Sequence, residues 1–278
     1  MDLKTTRWEV EDEIATLTLS RPQRHNAWTG RMHTELRHLL QRAEADSAVR
    51  VVVITGDPEG HAFCPGADSQ ALEDHVARGA YDAGTPDDIA NPGYGIRPEF
   101  DADFAYFLGL ETVTIAAVNG ATAGAGLALA CWCDLRFVAT DAKLTAAHGR
   151  LNLPAEYGMS WLLPRIIGHG RASDLLLSSR TFTGEEAHAM GLAVEAIPTD
   201  RVVDEALAYA RRLVSEISPG ALKATKRQLA VDAVRLDPRE SVRDAQHRLD
   251  VMTTEPEYRE AIAAFTERRP PRWDRTPT

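Results

Sequence analysis

Residues 115–126 read IAAVNGATAGAG. An uncharged apolar stretch runs into the turn dipeptide Asn119-Gly120, and small residues follow as far as Gly126. The pattern predicts a buried strand, a tight loop and a short helix of small residues that begins near Gly124. Because glycine and alanine leave the backbone uncovered, N–H groups of this loop can reach a ligand atom that larger side chains would block.

A second stretch of the same kind lies at residues 51–68, VVVITGDPEGHAFCPGAD. Residues 51–54 are continuously apolar and predict a buried strand, and the loop after it carries Gly66 and Ala67. Backbone donors in two such loops suit an oxygen atom that gains negative charge, and the dipole of a helix starting near Gly124 would add to them. Glycine is also common in ordinary strand-to-helix turns, so the functional signal comes from the pair of loops.

Other catalytic motifs fit this sequence less well. Leu129 stands where a dinucleotide-binding fingerprint starting at Gly124 needs its third glycine. The chain has no Walker A sequence, no G-x-S-x-G, no H-E-x-x-H and no spaced pair of cysteine ligands. We therefore predict no metal site, and we expect any anionic ligand to be held by local contacts.

Composition and charge exclude several classes of protein. The 278 residues are 44% hydrophobic, which is enough for one substantial core, and the formal net charge of −10 argues against nucleic acid or an anionic membrane as a partner. Residues 113–133 carry no charge, but the turn at Asn119-Gly120 divides them, which favours a soluble protein. The cysteines form no C-x-x-C pair and the N-terminus has no apolar signal stretch, so we expect a cytoplasmic location.

Strand and helix patterns alternate along the first 200 residues, which indicates a layered α/β core. Residues 14–19 alternate as a strand does, and residues 29–45 place apolar side chains at helical spacing. Residues 68–103 are polar and rich in Gly, Pro and Asp, which is poor material for a core and predicts a surface insertion that could act as a flap.

The strand signals vanish after residue 200. Amphipathic helices separated by Pro219, Pro238 and Pro256 are predicted at residues 202–217, 221–234, 240–252 and 257–266. We therefore divide the chain into a core at residues 1–200 and a helical region at residues 201–278.

Four stretches resemble motifs of the crotonase (enoyl-CoA hydratase/isomerase) superfamily. They are residues 20–28 (SRPQRHNAW), 62–72 (AFCPGADSQAL), 115–139 (IAAVNGATAGAGLALACWCDLRFVA) and 142–197, which ends in FTGEEAHAMGLAVEAI (182–197). The resemblance implies an α/β (α+β) fold, a spiral of ββα units whose C-terminal helices drive assembly into a homotrimer or a hexamer of two trimers. It also implies an acyl-CoA thioester substrate, so that coenzyme A is part of the substrate and no separate cofactor is expected.

The resemblance also assigns roles to residues of both loops. The oxyanion-hole N–H groups match Ala67 and Ala125, and the adenine and pantetheine portions of coenzyme A are expected against two loops near them. The substrate-binding residues implied in this way are Arg24, His25, Ala67, Asp68, Ser69, Gln70, Gly124 and Ala125.

The chain departs from the superfamily's hydratases at two positions. Those enzymes use two glutamates to position and deprotonate water, and here the first matches Ala128 and the second matches His148. Ala128 lies three residues after Ala125, on the same helix face as the predicted oxyanion hole, where a methyl group cannot transfer a proton. Standard hydration is therefore not predicted.

Glu156 resembles the single catalytic carboxylate of one branch of Δ3,Δ2-enoyl-CoA isomerases. One carboxylate can take a proton from C2 of a 3-enoyl thioester and return it at C4, because the intermediate is a dienolate that the oxyanion hole stabilises. The alternative is an acidic residue in the first turn of a helix, where the helix dipole favours it. His148 is either a second base or substrate-orienting donor, or a structural histidine of the pocket wall.

We therefore predict an enoyl-CoA isomerase with Glu156 as acid and base. The first alternative is an enoyl-CoA hydratase with a non-standard water site formed by His148 and Glu156. The second alternative is a catalytically silent acyl-CoA-binding homologue that keeps the loops and lacks the chemistry.

Overall fold

The computed structural model describes residues 1–79 and 90–273. In these ranges the chain forms two β-sheets with helices packed around them. The strands are β1 (Thr6–Glu11), β2 (Ile14–Leu19), β3 (Val51–Gly56), β4 (Ala62–Cys64), β5 (Val113–Val118), β6 (Ala121–Ala123), β7 (Leu135–Ala139), β8 (Lys143–Thr145), β9 (Phe182–Thr183) and β10 (Glu195–Ile197). The α-helices are α1 (Gly30–Ala45), α2 (Ser69–Arg78), α3 (Ala125–Trp132), α4 (Met159–Ile167), α5 (His169–Ser178), α6 (Gly184–Ala189), α7 (Val202–Glu216), α8 (Pro219–Ala233), α9 (Pro238–Met252) and α10 (Pro256–Glu267).

The larger sheet has the strand order β1-β2-β3-β5-β7-β10 and is parallel except for the β1–β2 hairpin. The smaller sheet has the order β4-β6-β8-β9 and is parallel except for the β8–β9 pair. Every residue of β3 and β5 is buried, as expected of uncharged, largely apolar strands that are covered on both faces. The predicted strands at residues 14–19 and 51–54 and the predicted helix at residues 29–45 are confirmed.

The chain repeats one unit of two strands and a helix. The first strand of each unit joins the larger sheet, the second joins the smaller sheet, and a helix follows. The units are β3-β4-α2, β5-β6-α3 and β7-β8-α4. This repetition brings the C-terminal ends of β4, β6 and β8 side by side, because these three strands are parallel neighbours. The predicted mixed α/β fold of ββα units is confirmed.

The uncharged stretch at residues 113–133 is divided among β5, β6 and α3, as predicted from its central turn. Among the helices of the described ranges, none combines the length and the apolar character needed to cross a membrane.

The predicted surface insertion at residues 68–103 is more ordered than its composition suggests. Residues 69–78 form α2, whose first turn is capped by the Asp68 side chain. Phe100 is fully buried, although the composition of this stretch is poor material for a core. Residues 80–89, where a flap would fall, lie outside the described residues.

The helices predicted after residue 200 are confirmed as α7, α8, α9 and α10. Pro219, Pro238 and Pro256 do not separate these helices; each is the first residue of one, where a missing N–H costs nothing. The first of these helices, α7, packs against strands β3, β5 and β7 of the larger sheet. Lys226 of α8 is also buried and donates hydrogen bonds to Asp134 and to the Thr112 carbonyl, both at 2.7 Å. The division of the chain near residue 200 stays a prediction.

Candidate active site

The two glycine-bearing loops are adjacent because β4 and β6 pair in parallel, with Cys64 opposite Thr122. A Cβ atom at Gly126 would lie 2.1 Å from the carbonyl oxygen of Cys64, so only glycine allows α3 to approach the first loop this closely. Cys64 itself is a packing residue, since burial raises the pKa of its thiol to about 12. The loop pattern in the sequence thus marks a real contact between the two segments.

The backbone at Ala67 is fixed from both sides by Trp28. The Trp28 N–H donates to the Gly66 carbonyl at 2.8 Å, and the Asp68 N–H donates to the Trp28 carbonyl at 2.9 Å. Ala67 lies between these two hydrogen bonds, and its side chain is exposed. The loop pattern gave no sign of Trp28, although it lies within the motif at residues 20–28.

Ala125 is the first residue of α3, where backbone N–H groups have no partner within the helix. Gly124 before it adopts φ 49° and ψ −117°, a conformation that favours glycine and turns the chain from β6 into the helix. Within residues 1–79 and 90–273, the N–H groups of Ala67 and Ala125 have no hydrogen-bond acceptor. All eight residues of α3 are buried, so the helix dipole at Ala125 acts in surroundings where charge interactions are strong.

A small cavity opens beside Gly124, and both predicted proton-transfer residues, His148 and Glu156, line it. Its described lining consists of Gly124, Leu127, Ala146, His148, Glu156, Tyr157 and Met159. Glu156 is the only carboxylate of this lining. Ala128, which matches the first hydratase glutamate, is fully buried in α3 and offers no polar group. The structure therefore brings together the second loop, His148 and Glu156.

Glu156 does not lie in the first turn of a helix, so that alternative is wrong. The adjoining helix α4 begins three residues later, at Met159, whose N–H donates to the Glu156 carbonyl at 3.1 Å. Glu156 is half-buried, and this burial raises the pKa of its carboxyl group, while the charge of nearby His148 acts to lower that pKa. A carboxyl with a raised pKa both accepts and returns a proton more readily near neutral pH.

His148 begins a short 3-10 turn, residues His148–Leu151, and is buried. Ala147 before it has φ 62°, which is rare for alanine, and its neighbours Ala146 and His148 both line the cavity. The position is compatible with both roles foreseen for His148.

The residues expected to contact coenzyme A surround an ion cluster. Arg24 Nη2 lies 2.7 Å from Asp68 Oδ1, and Arg21 Nη1 lies 2.8 Å from Asp68 Oδ2. Asp68 also accepts from the Gln70 N–H at 3.0 Å, and these donors hold the pKa of its carboxyl well below the usual range. The Asp68 carboxylate is thus fully engaged in joining two loops, and Arg21 is a partner that the sequence interpretation missed.

The other predicted contacts lie around this cluster. Ser69 and Gln70 are exposed at the start of α2, and Ser69 Oγ accepts from Arg24 at 3.2 Å. His25 Nδ1 lies 2.9 Å from the Gly60 carbonyl oxygen. Arg24, Ser69 and Gln70 therefore share one accessible edge beside Ala67.

Similarity to known proteins agrees with this geometry. Residues 9–276 match the model of the family described as "Enoyl-CoA hydratase/isomerase". The chain is 35% identical over 266 residues to a probable enoyl-CoA hydratase of Mycobacterium tuberculosis, covering 93% of this chain and 88% of that protein. It is 31% identical over 264 residues to 1,2-epoxyphenylacetyl-CoA isomerase of Escherichia coli, covering 95% and 96% of the two chains.

A crystal structure of a probable enoyl-CoA hydratase/isomerase from Mycobacterium abscessus has a TM-score of 0.84 and 29% sequence identity, and the match covers 97% of this chain and 98% of that one. The paired sheets and adjoining glycine loops are therefore those of a crotonase-like fold. The protein belongs to the enoyl-CoA hydratase/isomerase family, as the sequence motifs predicted.

Proposed function

We propose that this protein is an enoyl-CoA isomerase that shifts a double bond of an acyl-CoA thioester, with Glu156 as acid and base. The N–H groups of Ala67 and Ala125 hold the thioester oxygen. The observation that carries the proposal is that Glu156 is the one carboxylate in the described lining of the cavity beside Gly124. Coenzyme A enters as part of the substrate.

The proposed reaction needs one proton acceptor and no water. Glu156 removes a proton from C2 of a 3-enoyl thioester, and the electron pair spreads over the dienolate onto the thioester oxygen. Two N–H donors stabilise that negative charge. Glu156 then returns the proton at C4, which leaves the double bond between C2 and C3 and restores the carboxylate.

A hydratase is the second candidate, and the position of His148 favours it. His148 lines the same cavity as Glu156, so the two could hold and activate a water molecule. The matching relative from Mycobacterium tuberculosis is named a probable hydratase, whereas the one from Escherichia coli is named an isomerase. Ala128 weighs against hydration, because the position of the first hydratase glutamate carries only a methyl group. Glu156 in turn weighs against a catalytically silent homologue.

The purified protein incubated separately with 3-enoyl-CoA and trans-2-enoyl-CoA distinguishes these candidates. Isomerisation creates the conjugated enoyl thioester and raises its ultraviolet absorbance, whereas hydration removes it. We expect turnover of the 3-enoyl substrate. Rapid loss of the 2-enoyl absorbance without 3-enoyl turnover would reject the isomerase proposal in favour of the hydratase, and binding without either reaction would favour the silent homologue.

The pH dependence of kcat/KM should report the environment of Glu156. A base acts only when deprotonated, so activity should be lost as the pH falls through the pKa of Glu156, at a midpoint above the usual value of 4.5. His148→Gln removes a charge that lowers this pKa, so the midpoint should move to higher pH. His169→Gln, at an exposed residue at the start of α5, is the control and should leave the midpoint unchanged. A midpoint that stays in place or moves down in His148→Gln would contradict this electrostatic coupling.

The proposed assembly is a homotrimer or a hexamer. Large apolar side chains are exposed on and between the last three helices, namely Leu229, Leu236, Val242, Leu249, Ile262 and Phe265. Burying such a surface between subunits is favourable. Light scattering should give a mass near three or six times the chain mass of 30.5 kDa, and a stable monomer would contradict the assembly. A cytoplasmic location stays a prediction.

A further inference from the structure

The segment that carries Glu156 contains two consecutive residues in an unfavourable backbone conformation that needs support from surrounding groups. Tyr157 has φ 53° and Gly158 has φ 70°, so two consecutive residues adopt the left-handed region. For a residue with a side chain this conformation is unfavourable, and it persists only where surrounding groups hold it. The groups that hold it therefore determine where the neighbouring Glu156 carboxylate lies.

Trp132 contacts this segment directly. Its indole Nε1–H donates to the Tyr157 carbonyl oxygen at 2.8 Å. A Cβ atom at Gly158 would lie 3.1 Å from Trp132 Cζ2, so the indole ring packs against the backbone of Gly158. Trp132 is itself buried, and its ring stacks on Trp161 of α4 with 6.2 Å between ring centroids and 7° between planes. One side chain thus holds both left-handed residues.

Trp132 also belongs to the helix that presents the proposed oxyanion donor. It is the last residue of α3, and Ala125 is the first. An eight-residue helix is a rigid unit about 10 Å long, so the spacing between Ala125 and the indole of Trp132 varies little. On the far side of the segment, the Tyr157 ring packs on Phe104 with 4.8 Å between ring centroids. The Glu156 segment is therefore held between α3 and Phe104.

We propose that Trp132 is a positioning residue, whose indole N–H sets the place of the Glu156 carboxylate relative to the N–H of Ala125. The proposal rests on the proposed function, in which Glu156 is the base and Ala125 a donor to the thioester oxygen. A base and an oxyanion donor act on the same substrate, so their separation must match the distance from C2 to the thioester oxygen. A misplacement of about 1 Å at such a site can cost on the order of 100-fold in rate.

Trp132→Phe tests this, because phenylalanine keeps an aromatic ring beside Gly158 and Trp161 but has no N–H. We expect kcat for a 3-enoyl-CoA to fall about 10- to 100-fold while KM changes less than about 2-fold. The acidic limb of the kcat/KM profile should also move to lower pH, because a loosened segment lets water reach Glu156 and removes the burial that raises its pKa. That shift is opposite to the one expected for His148→Gln.

Trp161→Phe is the matched control. Trp161 stacks on the same ring, but the indole that donates to the Tyr157 carbonyl belongs to Trp132. We expect near-native kcat and an unmoved pH profile for this variant. Thermal unfolding of both variants measures how much stability each has lost. Equal kcat losses in the two variants, or a native kcat in Trp132→Phe, would overturn the proposal.

Gly158→Ala provides a second route if Trp132→Phe folds poorly. The added Cβ, at φ 70° and 3.1 Å from the Trp132 ring, should displace the segment while leaving the indole in place. The same loss of kcat with little change in KM is expected, and native turnover would refute the positioning role. Full turnover of Glu156→Gln would instead reject the proposed function, so the two failures are distinguishable.

Discussion

Replacing Glu156 with glutamine should lower the isomerisation of a 3-enoyl-CoA about 100- to 10,000-fold, which is the usual contribution of general acid–base catalysis. Glutamine has the shape of glutamate, but its amide cannot accept a proton from C2 at the pH of the assay. Burial of the side chain raises the pKa of Glu156, so the variant also removes an unfavourable charge and should fold normally. Steady-state assays that follow conjugation by absorbance measure the loss.

Binding and chemistry should separate in this variant. The Kd of an unreactive acyl-CoA should stay within about 3-fold of the native value, because the proposed binding contacts lie on other loops. His148→Ala is the comparison, since a supporting residue should cost less rate than the base. Near-native turnover of Glu156→Gln together with loss of activity in His148→Ala would show that the position matching the second hydratase glutamate carries the chemistry.

Most elements that build the core could be predicted from local sequence. β3 and β5 are buried at every residue, and their sequences are uncharged and largely apolar, which is the pattern of parallel strands covered on both faces. The helix α2 was missed because its residues lie within a polar stretch rich in glycine and proline. Its cap at Asp68 and its end at Gly79, which has φ 66°, are helix signals that the composition of the surrounding stretch concealed.

The candidate site could likewise be predicted only in part from local sequence. The small residues of both loops pointed to their exposed backbone, and the structure brings those loops together at Cys64 and Gly126. The hydrogen bond from Trp132 to the Tyr157 carbonyl joins residues 25 positions apart, and the ion pair of Arg21 with Asp68 joins elements further apart still. No local periodicity encodes such contacts, because they depend on how α3 and the loops pack after the sheets have formed.

Replacing Ala125 with proline should lower every enolate-forming reaction of this protein about 100- to 1,000-fold, the usual effect of removing one oxyanion donor. Proline has no N–H, and at the first residue of a helix it removes no intrahelical hydrogen bond. Gly124 before it has ψ −117°, outside the helical region that a following proline disfavours. The helix α3 should therefore keep its place, and the loss should fall on kcat.

Ala125→Gly separates the missing donor from a disturbed loop, because glycine keeps the N–H and removes only a methyl group. We expect this control to retain most of its activity, and thermal unfolding of the proline variant should lie close to that of the native protein. Comparable activity losses in the two variants would mean that packing of the Ala125 side chain matters and that its N–H does not. A large loss confined to Ala125→Pro would instead locate the charge of the enolate at the N-terminus of α3, because the two variants differ at that position in their N–H and ring while both leave Glu156 untouched.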